Sequence, residues 1–333
     1  MSVIATVLEE GETVGRLLES VVAQLRDEDE LVVLDGGSRD GTFEQLSEYA
    51  ARDHRVRALR APGANIAAGR NLAVAAARHE LIACTDAGCV VASHWLAELT
   101  APFAMRPVPG LAAGIPHVLA NGALERAQSA ACYADPHDAC HLTPLVRLYG
   151  RVFGGVFDPS LPFARSLAFT RTAWRDAGGF PERLSWVEDG VFGRAVAAQH
   201  RCVVAPRADV YWEQRGSAAA TFRMYYRYGI GAAASGERQL QARDRLRLSA
   251  YLAGATMLLS RKPPAVALAL AGAGAYYSLP LRRVVRRRAG LRAALCVPLA
   301  LAIKDAGKVA GAASVHLARA GRGSSMRVAR SHP

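Results

Sequence analysis

Short apolar runs alternate with longer amphipathic stretches over the first hundred residues. The runs have the length and the β-branched content of buried strands, and they occur at residues 2–8, 31–34, 56–59 and 81–85. Between them, apolar side chains recur at helical spacing, which predicts helices near residues 14–22, 43–46, 66–77 and 95–103. Alternating strands and helices of this kind predict an α/β fold with a parallel, doubly wound sheet.

This alternation stops after residue 105, where Pro and Gly become frequent. Residues 110–170 are interpreted as irregular strands and loops that form a wall on the acceptor side of a binding site. A strand is predicted at residues 166–170, and short helices are predicted at 174–180 and from 186–192 through 200. A helix rich in Tyr and Arg is predicted at residues 221–237.

Three apolar runs follow at residues 246–260, 263–280 and 291–303. A bilayer-spanning helix needs about 20 apolar residues, so the first two are short for a span. They predict a hairpin that dips into or crosses a membrane, with residues 282–288 as an Arg-rich loop on the cytosolic side. The third run predicts an interfacial amphipathic helix. A buried helical subdomain of a soluble protein is the alternative.

The C-terminal part of the chain differs from the rest in its net charge. From residue 241 onward the chain has 17 Lys and Arg against two Asp and Glu, so the overall charge of +12 belongs to this part. Its basic residues flank apolar runs, which indicates a membrane surface and no nucleic-acid partner. The predicted organisation is a catalytic domain at 1–240, a basic membrane-associated helical region at 241–320 and a disordered tail at 321–333.

Cysteine usage and the N-terminus indicate a cytosolic catalytic part. The N-terminus lacks the positive segment of a signal peptide, and no two of the six Cys form a CxxC pair. Cys132, His137, Cys140 and His141 are close in sequence, but their spacing fits no familiar zinc knuckle. Ordinary loop and helix positions are therefore expected for these four residues.

Acidic residues follow three of the predicted strands. They are Glu9 with Glu10, Asp35, and Asp86, the last with Gly88 two positions later. In doubly wound sheets, ligands bind outside the carboxyl ends of the strands. An Asp that merely caps a turn is the alternative for Asp86. The common position of these acids at strand ends predicts a ligand site there.

Four motifs in sequence carry a family resemblance. They are Asp-Gly-Gly-Ser-Arg-Asp-Gly-Thr at 35–42, Pro-Gly-Ala-Asn-Ile-Ala-Ala-Gly-Arg-Asn at 62–71, Thr-Asp-Ala-Gly at 85–88, and the Glu188-Asp189 pair. In order and spacing they resemble the family 2 glycosyltransferases. Residues 211–215 and 225–229 resemble the branch that assembles bacterial exopolysaccharides, including the succinoglycan-type enzymes. The resemblance covers residues 3 to about 230 and implies a GT-A fold, which is Rossmann-like with a doubly wound mixed sheet.

The resemblance also implies how the donor, a nucleotide diphosphate sugar, is bound. Asp35 would accept hydrogen bonds from the base or ribose, and Asp86 would hold Mg²⁺ or Mn²⁺ against the diphosphate. Arg70 and Arg215 would add charge-assisted contacts to phosphate. The donor-binding residues that follow from the matched motifs are Thr6, Leu8, Glu10, Asp35, Gly36, Ser38, Asn65, Arg70, Asn71, Thr85, Asp86 and Arg215.

The catalytic roles fall to the acidic pair under the same resemblance. Asp189 would be the general base for the acceptor hydroxyl, with Glu188 as a positioning residue. A base on one face and a metal-held leaving group on the other imply a single displacement with inversion.

Three positions depart from the family pattern. Ala87 and Gly88 replace the later positions of the family's DXD motif, so that Asp86 is its only side-chain metal ligand. Glu9-Glu10 stands where Asn-Glu is usual, and Tyr211 stands where many relatives place a metal-binding His. These departures bear on the metal and leave Asp189 unaffected.

The resulting prediction is an inverting, hexosyltransferase-type enzyme at the cytoplasmic face of a bacterial inner membrane. Its donor is expected to be a UDP-sugar, and its acceptor a lipid-linked sugar or polysaccharide. One alternative is a GT-A-fold nucleotidyltransferase, against which the acidic residues 9–12 argue. Another is a non-catalytic, membrane-bound scaffold that binds a nucleotide sugar.

Overall fold

The computed structural model describes residues 1–213 and 216–328, and the side chains of all of these except 238–240 and 320–328. The chain divides into two compact units, each assembled from separated stretches. Unit 1 comprises Met1–Leu119, Ala134–Leu142 and Val156–Glu213. Unit 2 comprises Ala120–Tyr133, Thr143–Gly155 and the described residues from 216 onward.

Unit 1 contains two sheets whose strands follow each other along the chain. Its strands are β1 (Ser2–Val7), β2 (Glu30–Asp35), β3 (Val56–Arg60), β4 (Leu81–Asp86), β5 (Cys89–Val91), β6 (Leu111–Ala113), β7 (His117–Leu119), β8 (Leu167–Thr170), β9 (Cys202–Val204) and β10 (Val210–Glu213). The central sheet has the order β3-β2-β1-β4-β8-β6-β9, and the smaller one has the order β5-β10-β7.

The helices of unit 1 pack on the central sheet. They are α1 (Val14–Val22), α2 (Thr42–Arg52), α3 (Ile66–Ala76), α4 (Trp95–Thr100), α6 (Pro136–Cys140), α8 (Arg171–Asp176) and α9 (Glu188–Ala197). Alternate strand residues face opposite sides, so Val3 and Ala5 join one buried cluster while Ile4 joins the other. Burial on both faces explains why the strands read as continuous apolar runs.

The central sheet is mixed. Strands β3, β2, β1 and β4 are mutually parallel, but β8 runs antiparallel to both β4 and β6. The purely parallel sheet expected from the first hundred residues is therefore wrong at β8. Parallel strands are usually joined by a single crossover helix. The long segment 120–166 precedes β8 instead, and β8 enters the sheet from the opposite end. The mixed sheet of a GT-A fold is confirmed.

Every secondary-structure element described in unit 2 is a helix. The unit consists of α5 (Ala123–Cys132), α7 (Pro144–Phe153), α10 (Ala218–Ser235), α11 (Arg238–Leu259), α12 (Pro263–Arg286) and α13 (Leu291–Val328). Residues 110–170 were expected to be irregular strands and loops. The short strands β6 and β7 agree with that expectation, but it is wrong where α5, α6 and α7 lie. α5 and α7 belong to unit 2 and find their packing partners in the C-terminal helices.

Close backbone contact joins α10 and α13. A Cβ atom at Gly229 would lie 2.2 Å from the carbonyl oxygen of Lys308, and one at Gly311 would lie 1.9 Å from that of Tyr226. Glycine at these positions lets the two helix backbones meet. The third apolar run is therefore part of one long packed helix, and its Asp305 is 5% exposed within unit 2. Asp305 is thus buried, but Leu291, Leu295 and Leu299 of the same run are exposed, so the interfacial helix stays a prediction.

The Arg-rich segment is also different from the expectation. Residues 282–286 continue α12 and do not form a loop. Arg283 is 1% exposed and donates hydrogen bonds to the carbonyl oxygens of Ala130, Tyr133 and Gly155 at 3.0, 3.0 and 2.7 Å. This arginine therefore fastens α12 to the mid-chain segments of its own unit.

At the C-terminus, α13 continues to Val328, so residues 321–328 of the expected disordered tail are helical. Residues 329–333 of that tail lie outside the described part of the chain. Among the described helices, α12 alone is long and apolar enough to cross a membrane, and 11% of its most apolar window is buried. Length and composition of this kind also occur in core helices of soluble proteins.

Candidate active site

The end of β2 is organised by Asp35, whose carboxylate is fully buried. It accepts hydrogen bonds from the backbone N–H groups of Gly37 and Ser38 at 3.0 and 3.1 Å, and from the Ser38 hydroxyl. The Arg60 guanidinium lies 3.5 Å away. Ser38 in turn accepts a hydrogen bond from the N–H of Glu9 at 2.9 Å. Both oxygens of Asp35 thus serve its own loop, and a ligand contact would have to replace one of these bonds.

The acids after β1 form a folded turn. The Glu10 carboxylate accepts a hydrogen bond from the Thr13 hydroxyl, and its backbone N–H donates to Thr42 at 2.9 Å. Glu9 adopts a left-handed conformation with φ of 56°. The preceding Leu8 is 57% exposed and lies beside Gly36, 3.5 Å from where a Cβ of that glycine would be. Leu8 is therefore an exposed apolar side chain at the end of β1, where the donor is predicted to bind.

β4 delivers Asp86 next to the end of β1. The register pairs Asp86 with Thr6 on one side of β1 and pairs Asp35 with Val7 on the other. The sheet thus brings the predicted strand-end acids to one edge. The hydroxyl oxygens of Thr6 and Thr85 are buried there and have no hydrogen-bond partner among the described residues. Such orphaned polar atoms are usually satisfied by water or a ligand.

Arg70 connects Asp86 to α9. Its side chain is 1% exposed, and its two terminal nitrogens donate to Asp86 at 2.6 Å and to Glu188 at 2.5 Å. Its guanidinium carbon lies 5.5 Å from the centroid of the Phe180 ring. Arg70 falls on the buried face of α3 together with Ala67. In this arrangement it is an internal counter-ion for two carboxylates, where the sequence predicts a direct contact with phosphate.

The acidic pair opens α9 immediately after a strained residue. Val187 has φ 67° and ψ 14°, a left-handed conformation that is costly for a β-branched side chain. Beyond it, Asp189 accepts a hydrogen bond from the N–H of Ala164 at 3.2 Å and from that of Gly190 at 2.8 Å. The turn at Val187 precedes Glu188, which pairs with Arg70, and Asp189, which forms no ion pair with any of the described residues.

The electrostatics of the pair follow from this placement. Burial, followed by the negative charge of Glu188, raises the pKa of Asp189 from its ordinary value to about 6, and Arg70 offsets part of the rise. Nearby, burial raises the pKa of the Cys84 thiol to about 12, so this cysteine is neutral. A carboxylate with a pKa near 6 is ionised at neutral pH and remains basic enough to accept a proton.

Two predicted donor-binding residues position the site instead of lining it. Asn65 caps α3 with its side-chain oxygen and donates to the carbonyl of Glu182 at 2.6 Å. Asn71 accepts hydrogen bonds from the Trp174 indole at 3.0 Å and from the N–H of Phe180 at 2.8 Å. Both side chains therefore hold the segment that precedes α9 against α3.

The small sheet contributes a cluster that the sequence reasoning missed. Asp209 lies between His94, at 3.0 Å, and His117, at 2.6 Å, and Tyr211 stacks on the His117 ring with centroids 5.3 Å apart. The pairing of β10 with both β5 and β7 unites these residues, so no local motif could reveal them. Arg215, the predicted second phosphate contact, lies outside the described residues.

The donor set around Asp86 fits a metal ion only in part. Within residues 1–213 and 216–328, no group of three or more His, Cys, Asp or Glu side chains is arranged to hold one. Among the residues that the structure describes, Asp86 has an ion pair at one oxygen only, and its side chain is 20% exposed. Mg²⁺ commonly binds through one or two carboxylates together with substrate phosphates. Asp86 therefore suits an ion that is shared with a bound diphosphate.

Comparison with known proteins agrees with this geometry. Residues 2–136 match the family model for glycosyl transferase family 2. The uncharacterized glycosyltransferase EpsJ of Bacillus subtilis (strain 168) is 23% identical, with 53% of this chain and 55% of that protein covered. The chain thus spans about half the length of this curated relative.

Among solved structures, the mannosyltransferase PcManGT from Pyrobaculum calidifontis, in complex with GDP-Man and Mn²⁺, aligns with a TM-score of 0.55 at 18% identity. The alignment covers 94% of this chain and 85% of that one. GalNAc-T7 with UDP, GalNAc and Mn²⁺ aligns with a TM-score of 0.50 at 16% identity, covering 69% of this chain and 47% of that one. Likeness at these identities shows the fold. The mixed sheet and the alignment with a solved mannosyltransferase show a GT-A fold, and the ordered motifs together with the match over residues 2–136 make this chain similar to the family 2 glycosyltransferases.

Proposed function

We propose that this protein is an inverting glycosyltransferase that uses a nucleotide diphosphate sugar, expected to be a UDP-sugar. The observation that carries the proposal is the pair at the start of α9. Glu188 is held by Arg70, and beside it Asp189 has a pKa near 6 and forms no ion pair within the part of the chain that the structure describes. Asp86 shares the same arginine at the end of β4. A proton acceptor and a leaving-group site are thereby linked through one buried cation.

Each side chain has a task in a single displacement. Asp189 accepts the proton of the acceptor hydroxyl as that oxygen attacks the anomeric carbon. Glu188 pairs with Arg70, and its negative charge contributes to the raised pKa that keeps Asp189 basic. The displacement inverts the sugar carbon, and it requires no covalent intermediate with the protein.

Asp86 is the residue that would hold a divalent ion together with the donor diphosphate. Mg²⁺ or Mn²⁺ bound there would neutralise the charge that develops on the leaving group. Independently of the ion, the Arg70 guanidinium keeps Asp86 oriented at 2.6 Å. The buried hydroxyls of Thr6 and Thr85 lie at the same strand ends and supply hydrogen-bonding groups for the donor.

The proposed location is the cytoplasmic face of a bacterial inner membrane, with a lipid-linked sugar or a polysaccharide as acceptor. Two features of unit 2 support it. α12 has the length and composition of a membrane-spanning helix, and the strongly basic composition from residue 241 onward suits anionic phospholipid. The exopolysaccharide pathway is the corresponding proposal for its biological role.

A donor panel tests the enzymatic proposal. The full chain is incubated with UDP- and GDP-sugars, with Mg²⁺, Mn²⁺ or a chelator, and release of nucleoside diphosphate and donor binding are measured in parallel. Release with one donor, increased by a lipid extract that supplies acceptors, is the expected result. Binding without turnover would indicate a non-catalytic scaffold. Conversion of a nucleoside triphosphate and a sugar phosphate would indicate a nucleotidyltransferase.

A further inference from the structure

Helix α7 has two apolar faces, although its own unit covers only one of them. Successive residues of a helix are separated by 100°, so Val146, Tyr149 and Phe153 lie on one side. Leu145, Leu148 and Val152 lie on an adjacent side. An ordinary surface helix has one apolar stripe. The second stripe of α7 therefore requires an explanation outside the packing of unit 2.

The first face is accounted for by neighbours in unit 2. Val146 is 4% exposed. The Tyr149 hydroxyl donates to the carbonyl oxygen of Tyr276 at 2.7 Å, and the Phe153 ring lies 5.4 Å from the Tyr276 ring. α7 is thus fixed against α12, and its orientation is set by these contacts.

The second face is exposed. Leu145 is 69% exposed, Leu148 is 58% exposed and Val152 is 44% exposed. The three residues are separated by three and four positions, so they form one continuous stripe. We call these residues the α7 stripe.

Basic residues border the α7 stripe. Arg147 and Arg151 are exposed and lie next to it on the helix surface, and α7 contains no acidic residue. Long arginine side chains beside an apolar stripe can extend towards phosphate groups while the apolar residues enter a hydrocarbon layer. Two arginines without a compensating acid suit an anionic surface.

The remaining exposed apolar residues show that α7 shares this property with its unit. Of the 24 large hydrophobic side chains that are exposed among the described residues, 17 lie in unit 2. They include Leu252 on α11, Leu268 on α12 and Leu295 on α13, at 62%, 61% and 72% exposure. A common environment for these helices explains the α7 stripe without a separate partner.

We propose that α7 is a membrane-contacting helix that inserts its stripe, Leu145, Leu148 and Val152, at the headgroup level of an anionic bilayer. This inference rests on the membrane location proposed above and extends it to a mid-chain helix outside the basic C-terminal region. A protein partner fits the helix less well, because three side chains fall far short of the ~800 Å² per partner of a standard interface. α7 thereby gives the protein a lipid contact more than a hundred residues before α12.

Site-directed spin labelling tests the insertion. A Leu148→Cys variant is made in the full chain with the exposed Cys140 replaced by Ser, and the parent without the added Cys sets the background. The labelled protein is placed in nanodiscs of phosphatidylcholine with phosphatidylglycerol, and collisions with oxygen and with a nickel chelate are measured. We expect the label at 148 to favour oxygen severalfold over a Val108→Cys control, which carries its label at an exposed apolar position of unit 1.

Two outcomes overturn the proposal while leaving the membrane location intact. One is nickel access at 148 equal to that at 108 in protein that still floats with vesicles. The other is spin–spin broadening at 148 that grows with protein concentration, which would assign the stripe to a second copy. If the parent protein fails to float with vesicles at all, the membrane location falls and the α7 contact falls with it.

The arginines are tested by charge-matched variants. Arg147→Gln with Arg151→Gln should weaken binding to anionic vesicles by about fivefold per residue, since each basic residue near such a surface contributes ~1 kcal/mol. Arg26→Gln with Arg52→Gln removes the same charge from exposed positions of unit 1 and should change binding much less. Equal losses in the two double variants would contradict a specific contact by α7.

Discussion

The ends of β2 and β4 each carry an aspartate, and the protein neutralises the two in different ways. Asp35 is enclosed by the backbone N–H groups and the hydroxyl of its own loop. Asp86 is 20% exposed and is paired with the buried Arg70, which also holds Glu188. An aspartate that accepts its hydrogen bonds from its own loop stabilises a turn. An acid held by a distant arginine couples β4 to α9 and keeps a surface for a ligand.

Asp35 at the end of β2 therefore has a structural role, whereas the residues at the end of β4 and the start of α9 have the chemical role. A buried cation between two carboxylates is stable only while all three charges are present. The same buried arrangement raises the pKa of the adjacent Asp189.

The largest effect is expected for Asp189→Asn. The variant keeps the size of the side chain and an oxygen for the Ala164 N–H, but it removes the base, so the turnover number should fall by about 10²–10⁴-fold. Donor affinity should remain near that of the parent. Steady-state kinetics and donor titration measure the two quantities separately.

The matching change at the other strand end is Asp35→Asn. It should lower stability more than turnover, because Asp35 accepts bonds from its own loop. If Asp35→Asn abolished turnover in folded protein and Asp189→Asn did not, the assignment of chemistry to the β4–α9 end would be wrong.

Replacing the arginine beside each aspartate should lower the free energy of unfolding by different amounts at the two strand ends. Arg70→Met leaves Glu188 buried without a partner and should cost about 3–5 kcal/mol. Arg60→Met removes a guanidinium that is 40% exposed and 3.5 Å from Asp35, and should cost about 1 kcal/mol or less. Denaturant unfolding midpoints give both values, and similar losses would show that Asp35 depends equally on a cation.

The pH dependence of turnover should sharpen the role of Glu188. Asp189 acts as a base only when ionised, so activity should fall tenfold per pH unit below a pKa of about 6. Glu188→Gln removes a negative charge that raises this pKa, and the acid limb should move to lower pH. An unchanged limb in the variant would remove Glu188 as the cause, and pH–rate profiles decide between these results.

The smallest effect concerns stability. The folded-state pKa of Asp189 lies above the ordinary value, so its contribution to stability is largest below pH 4 and is lost as pH rises through about 6. Asp189→Asn abolishes this loss. The variant should therefore gain stability relative to the parent between pH 4 and pH 7, and a constant difference in unfolding midpoint would contradict the raised pKa.

Local pattern was sufficient for the first four strands and for the acids at their ends, because burial on both faces produces continuous apolar runs. It was insufficient for Arg70, since an arginine in an Ala-rich helix resembles a surface residue and its partner Glu188 lies 118 positions away. The sequence before α7 does contain a helix-start signal. Thr143 caps the helix and Pro144 occupies its first turn, but the surrounding Pro and Gly favoured a loop.

The segmental construction of unit 2 has a consequence for biosynthesis. Cys132 on α5 contacts the carbonyl of Ala300 on α13, 168 positions later, and Ala127 and Ala130 are buried in the same cluster. Because translation proceeds at about 5–20 residues per second, α13 is synthesised on the order of ten seconds after α5. During that interval the apolar face of α5 lacks its native packing partner, which makes the nascent chain a substrate for ribosome-associated chaperones.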